Sequence, residues 1–166
     1  MTYSAVAYHK TMVKVLPHVI RSINELNVPA GNKNGFEILY FGVNLLLMFD
    51  YRLSFNIELM QSNRHHQIEL FIISRKDVSA WKNSSGLHNN GSSTSSITKN
   101  ITVYYKNTGR KINDVFKPTE SDAYAFILSN RSYPSTNQKS QTQAVMVTLT
   151  HSWEQQIKES QLKDRL

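Results

Sequence analysis

The sequence predicts an all-β fold, an antiparallel β-sandwich of about eight short strands. Three observations carry that expectation. Runs with an apolar residue at every second position recur along the chain, the mark of strands buried on one face. Polar stretches rich in Gly, Asn, Ser and Pro separate them. Strand patterns do not alternate with helical ones, which excludes the parallel βαβ architectures.

At the N-terminus, Met12, Val13, Leu16, Ile20 and Ile23 keep helical spacing, but Pro17 interrupts it and "MVKV" also fits a short strand. Irregular or short helical structure is expected before residue 18. A strand is expected over Glu25 to Val28, closed by the turn "PAGNKNG". "GFEILYFGV" is apolar on both faces apart from Glu37, as in a central strand. In "LSFNIELM", Leu53, Phe55, Ile57 and Leu59 oppose Ser54, Asn56 and Glu58. "HQIELFIIS" starts alternating and ends apolar on both sides.

Residues 83–96, "NSSGLHNNGSSTSS", bury too little apolar surface to offset ordering entropy, and a flexible loop inside the domain is expected there. In "SITKNITVYYK", Ile97, Ile101, Val103 and Tyr105 fall on one face. In "DAYAFILSN", Tyr124, Phe126 and Leu128 share a face with Asn130, and "AVMVTLTHSW" is the expected partner strand. Their connection is long and polar, so no tight hairpin joins them. Residues 154–166 form a helical or frayed tail, since Ile157 lies four residues from Trp153 and Glu159 precedes Lys163 in the favourable order. The shared phase predicts a core of Phe55, Ile57, Leu59, Ile68, Leu70, Ile101, Val103, Tyr124, Phe126, Val145 and Val147.

The chain has 166 residues, the length of a single domain, which folded alone buries roughly 70% of the surface its unfolded chain exposes. With no cysteine, disulfides, thiolate metal sites and a cysteine nucleophile are excluded. The formal charge of +7 makes an anionic partner electrostatically welcome. The basic residues are thinly spread; the densest stretch runs from Lys99 to Lys117 with Asp114 as its single acid, and fits a solvated strand and loop. The longest apolar run, "FGVNLLLMF" at 41–49, is far shorter than the roughly 20 residues that span a bilayer. Lys10 and Lys14 break the apolar stretch a signal peptide would need, so the expectation is a soluble, cytoplasmic chain.

Signatures of nucleotide binding, zinc proteolysis and serine esterases are absent. His65 and His66 fall on opposite faces of any strand and do not chelate one metal together. Glu58 and Glu69 would be neighbours if their strands pair; a paired-carboxylate hydrolase site and two solvated carboxylates are the competing readings. Sequons occur at Asn83, Asn90, Asn100 and Asn130. Trp81 and Tyr133, at strand ends, fit either a lid on the core or a stacking contact. Asn130 closes its strand, where an Asn side chain bonds turn backbone.

Several of these stretches, "FNIELMQSNRHHQIELFIISRKDVSAWKN", "ITVYYKNTGRKINDVFKPTESDAYAFILSNRS" and "AVMVTLTHSW", together resemble the GOLD-type β-sandwich of the p24 (emp24) cargo-trafficking proteins, over about residues 19–153. Ile68, Leu70 and Ile72 with Asp77 carry one phrase of the likeness. Tyr124, Phe126 and Asn130 carry a second, with Asp122 and Ala123 in place of the family's glycine, and Lys139 and Val145 a third at wider spacing. The p24 cysteine pair is missing. The resemblance favours a jelly-roll-like sandwich and implies protein or lipid-headgroup interaction rather than catalysis. The expected function is therefore a non-catalytic module binding a protein partner within a larger assembly, with no catalytic, cofactor or metal residues. Carbohydrate or cell-surface binding and non-specific nucleic-acid binding are the alternatives. Arg131, Tyr133 and Trp81 are the expected partner contacts, Arg and aromatics being enriched at interface anchors.

Overall fold

A computed structural model of the chain describes residues 10–29, 35–60, 66–84, 101–131 and 142–158. Eight strands are seen among them: β1 (Lys10–Val28), β2 (Phe36–Val43), β3 (Phe49–Leu59), β4 (Ile68–Ser74), β5 (Val103–Gly109), β6 (Lys111–Phe116), β7 (Asp122–Ser129) and β8 (Gln143–Lys158). A 3-10 turn, Arg75–Asp77, leads from β4 into the short helix α1 (Val78–Asn83).

The strands form two four-stranded sheets, ordered β1-β8-β3-β6 and β2-β7-β4-β5, and every pairing is antiparallel. β1 pairs β8, β2 pairs β7, β3 pairs β6 and β4 pairs β5. That is the pairing of one long hairpin, and β8 and β7 close it into a roll by also taking β3 and β4 as neighbours. The fold is an antiparallel jelly-roll sandwich.

The main core lies between the sheets. Phe55, Ile57, Leu59, Ile68, Leu70, Tyr124, Phe126, Val145 and Val147 all sit in it, as the alternation predicts. Two expected members differ. Val103 is 37% exposed at the start of β5, and a register irregularity between Ile72 and Ile73 shifts the phase there. Ile101 packs on a second, smaller cluster instead. Phe71, Ile73, Ala125 and Ile127 form that cluster on the outer face of the second sheet, under Val78 and Trp81 of α1. β4 and β7 are consequently buried on both faces, which accounts for their unbroken apolar ends.

Four expectations are corrected. β7 and β8 do not pair; they lie in opposite sheets and face one another across the core. β2 is an edge strand, not a central one, and both its faces are apolar because Leu39 and Phe41 turn to the main core while Phe36 and Ile38 pack on the second cluster. The N-terminal segment is strand from Lys10, since pairing with β8 overrides the helical spacing. Glu154 to Lys158 continue β8 rather than turning helical, because β1 offers partners through Lys10↔Lys158. The expected loop at 83–96 lies outside the described residues from 85 onward, as does the tail beyond 158.

Candidate functional site

The structure brings two of the three expected contact residues together, but inside the fold. Trp81 is 2% and Arg131 5% exposed. The Arg131 guanidinium lies beside two rings that meet edge-on at 5.3 Å, 4.4 Å from the Trp81 centroid and 4.5 Å from that of Phe36. Its Nη1 donates to the carbonyls of Trp81 (3.4 Å) and Ser84 (3.3 Å), and Nη2 to that of Lys82 (3.2 Å). Arg131 thus collects the last carbonyls of α1 and fastens the helix to the sheet. Burial draws its pKa down. The outward face expected of Arg131 and Trp81 is not there: stacking and carbonyl bonds hold both against the second cluster. Tyr133 lies outside the described residues.

Asn130 is buried as well. Its side-chain amide donates to the Pro29 carbonyl at 3.3 Å, and its backbone N–H to the Gly35 carbonyl at 2.7 Å. It ties the end of β7 to both sides of the β1–β2 connection. As a sequon residue it is closed off by the same burial.

Glu58 and Glu69 lie on different sheets and form no pair; Glu58 instead meets Lys111 at 3.2 Å. His66 Nδ1 accepts from the Gln143 side-chain amide at 2.9 Å. His151 packs edge-on against Tyr51 and Trp153. No group of three or more His, Asp or Glu able to hold a metal occurs among the described residues.

The sequence reading missed the end of the sandwich where β2 turns into β3. The Asn44 carbonyl accepts from the N–H groups of Leu47 (3.0 Å) and Met48 (2.8 Å), and Asn44 Oδ1 from that of Leu46 (3.1 Å). Leu45 N–H donates to Ser121 Oγ across the loop that precedes β7 (2.8 Å). This scaffold holds Leu46 and Leu47 outward, 82% and 63% exposed, with Phe49 37% exposed beside them. Leu45 and Met48 turn inward to the core.

Asp50, just behind that turn, has φ 47°, a left-handed conformation that Asp adopts more readily than most residues. Its Oδ2 accepts from Arg52 Nη2 (2.5 Å) and Nε (3.1 Å), and Lys117 Nζ approaches Oδ1 at 3.8 Å. The Arg52 hydrogen bond holds the Asp50 carboxyl below its ordinary range. Two hollows meet at Asp50 and Lys117. One, of 270 Å3, is walled mainly by Leu45, Met48, Phe49, Tyr51 and Pro118. The other, a groove of 410 Å3 on the outer face of the first sheet, carries Lys14, Arg52 and Lys117 with Glu154 and Trp153. The Tyr51 ring is buried, and its hydroxyl finds no hydrogen-bond partner among the described residues. Burial pushes its pKa up to about 12. The available signal was "NLLLM": four consecutive apolar residues directly after a turn-forming Asn cannot all reach a core.

A third exposed feature is one of the two edges of the first sheet. β1 is its edge, and Met12, Val19 and Ile20 along it are 44%, 54% and 39% exposed.

Comparison with known proteins returns no matching family model and no matching curated protein. Among solved structures, the chain is similar to one titled Desmodium yellow mottle tymovirus, at 11% identity and TM-score 0.33, covering 95% of this chain and 88% of that one.

Proposed function

We propose that this chain is a non-catalytic jelly-roll module that joins a larger protein assembly along its β1 edge. One observation carries the reading. Among the described residues β1 is 19 residues long, pairs with β8 alone, and presents Met12, Val19 and Ile20 to solvent. An edge of that length is a ready template for a partner, and exposed apolar residues along it add side-chain contacts to main-chain ones. Pro17 and three register irregularities along β1 limit indiscriminate strand pairing. A specific partner reads such an edge through its side chains.

A non-catalytic role is supported by charged groups held in structural contacts: Arg131 to α1, Glu58 to Lys111, Asp50 to Arg52. The GOLD-type resemblance, with its implied interaction role, agrees in kind. The test is the native mass of complexes formed by the full chain in extract, compared with V19K/I20K. The assembly is expected to fall to smaller species in the variant while the fold is kept. An unchanged native mass would remove β1 as the docking edge.

A further inference from the structure

We infer that the β2–β3 end of the sandwich is a docking surface for an anionic lipid bilayer. It does not depend on the β1 reading: only Lys14 of that strand is used, and the leucine tip belongs to the β2–β3 turn.

The apolar contribution is protruding. Leu46 and Leu47 stand at the apex of a turn fixed by four hydrogen bonds, with Phe49 at its foot. Side chains held outward on a convex tip match a medium that they enter more readily than a groove that they would line. The charged contribution stands directly behind. Lys14, Arg52 and Lys117 line the adjoining groove against Asp50 and Glu154, so cations are in excess there, as they are in the whole chain at +7. Cations set back from an apolar tip sit at headgroup depth when the tip is inserted, where anionic phosphates attract them.

The hollow between tip and groove supplies a third feature. Leu45, Met48, Phe49 and Tyr51 wall it, and Lys117 borders it. An ammonium bordering an apolar hollow suits an anionic oxygen on an otherwise apolar molecule, which is the chemistry of a phospholipid at the boundary between acyl chain and headgroup. A protein partner or a second copy would answer the leucines but does not by itself account for the cations ranged behind them.

The test uses the full chain and vesicles of phosphatidylcholine alone or in equimolar mixture with phosphatidylserine. Flotation with the mixed vesicles is expected, weakening with added salt. L46S/L47S should lower the partition by about tenfold or more. Lys117→Glu should lower it severalfold at low salt, and Met60→Ser, an exposed apolar residue at the other end of β3, should leave it unchanged. Circular dichroism checks that each variant folds. Trp153 provides a second readout: it lines the groove, while Trp81 is buried on the far sheet, so brominated lipid should quench Trp153 selectively. Failure of the intact chain to float with mixed vesicles overturns the inference. So does flotation that survives L46S/L47S, or self-association that depends on the two leucines without vesicle binding.

Discussion

Arg131 shows how a residue type suited to interfaces can be spent on the fold. Its planar guanidinium packs against both the Phe36 and Trp81 rings while its N–H groups reach three carbonyls around the end of α1. Arg131→Ala removes both and should cost about 2–4 kcal/mol in chemical denaturation, since stacking and charge-assisted bonds are lost together inside the second cluster. Arg131→Lys should recover less than half of that, because an ammonium has no plane to stack. A loss below about 1 kcal/mol for the alanine variant would mean that the clamp is not needed. None of this was legible in "SNRSYP": the partners lie 47 to 50 positions away, and local pattern carries no trace of them. The core row was legible. Phe126, fully buried and edge-on to Phe55 at 5.5 Å, follows directly from alternation, and Phe126→Ala should cost about 3–5 kcal/mol.

At the scale of elements, alternation located most strands with one face on the core, missed β6, whose buried Ile112 and Phe116 stand four apart with exposed residues between, and failed at the two ends of the chain. β1 and β8 extend past β3: the β3 pairing with β8 stops at Phe49↔Glu154, while β1 and β8 continue to Lys10↔Lys158. In that arm each strand has one neighbour among the described residues, so little beyond Trp153 marks the strand and Ile157 could equally be read at helical spacing from it. Pairing was beyond reach for a different reason. Strands that follow one another by sequence, such as β7 and β8, are separated by the closing of the roll, and which sheet each joins depends on every other strand. The arm makes a measurable prediction. Val13 faces Gln155 there, and Gln155→Pro removes a backbone donor in the stretch where β8 pairs only with β1. Hydrogen exchange should then lose protection in residues 10–15 while β3 and β7 keep theirs. Loss of protection across the whole sandwich would show that the arm is part of the cooperative core.

The whole molecule stacks two sheets over one core and hangs a helix on the outside of one of them, and its buried tyrosines link that packing to alkaline pH. Burial pushes the hydroxyls of Tyr51 and Tyr124 up to about 12, from an unfolded value near 10. The folded state therefore keeps protons that the unfolded state has released, so unfolding becomes easier as pH rises. The stability tied to these groups is fully present below about pH 10 and is lost between about pH 10 and pH 12. The two tyrosines differ in one respect. Tyr124 donates to the Glu120 carbonyl at 2.7 Å, whereas the Tyr51 hydroxyl is buried without a partner among the described residues. Removing the Tyr51 hydroxyl leaves no broken bond behind, so Tyr51→Phe should leave stability at neutral pH unchanged or raise it by up to about 1 kcal/mol. Tyr124→Phe should lower it by a similar amount, because the Glu120 carbonyl loses its donor. Denaturant titrations at stepped alkaline pH should show the fall in stability flattened in Tyr51→Phe relative to the intact chain. An equally steep fall in the variant would mean that Tyr51 already ionises in the folded state.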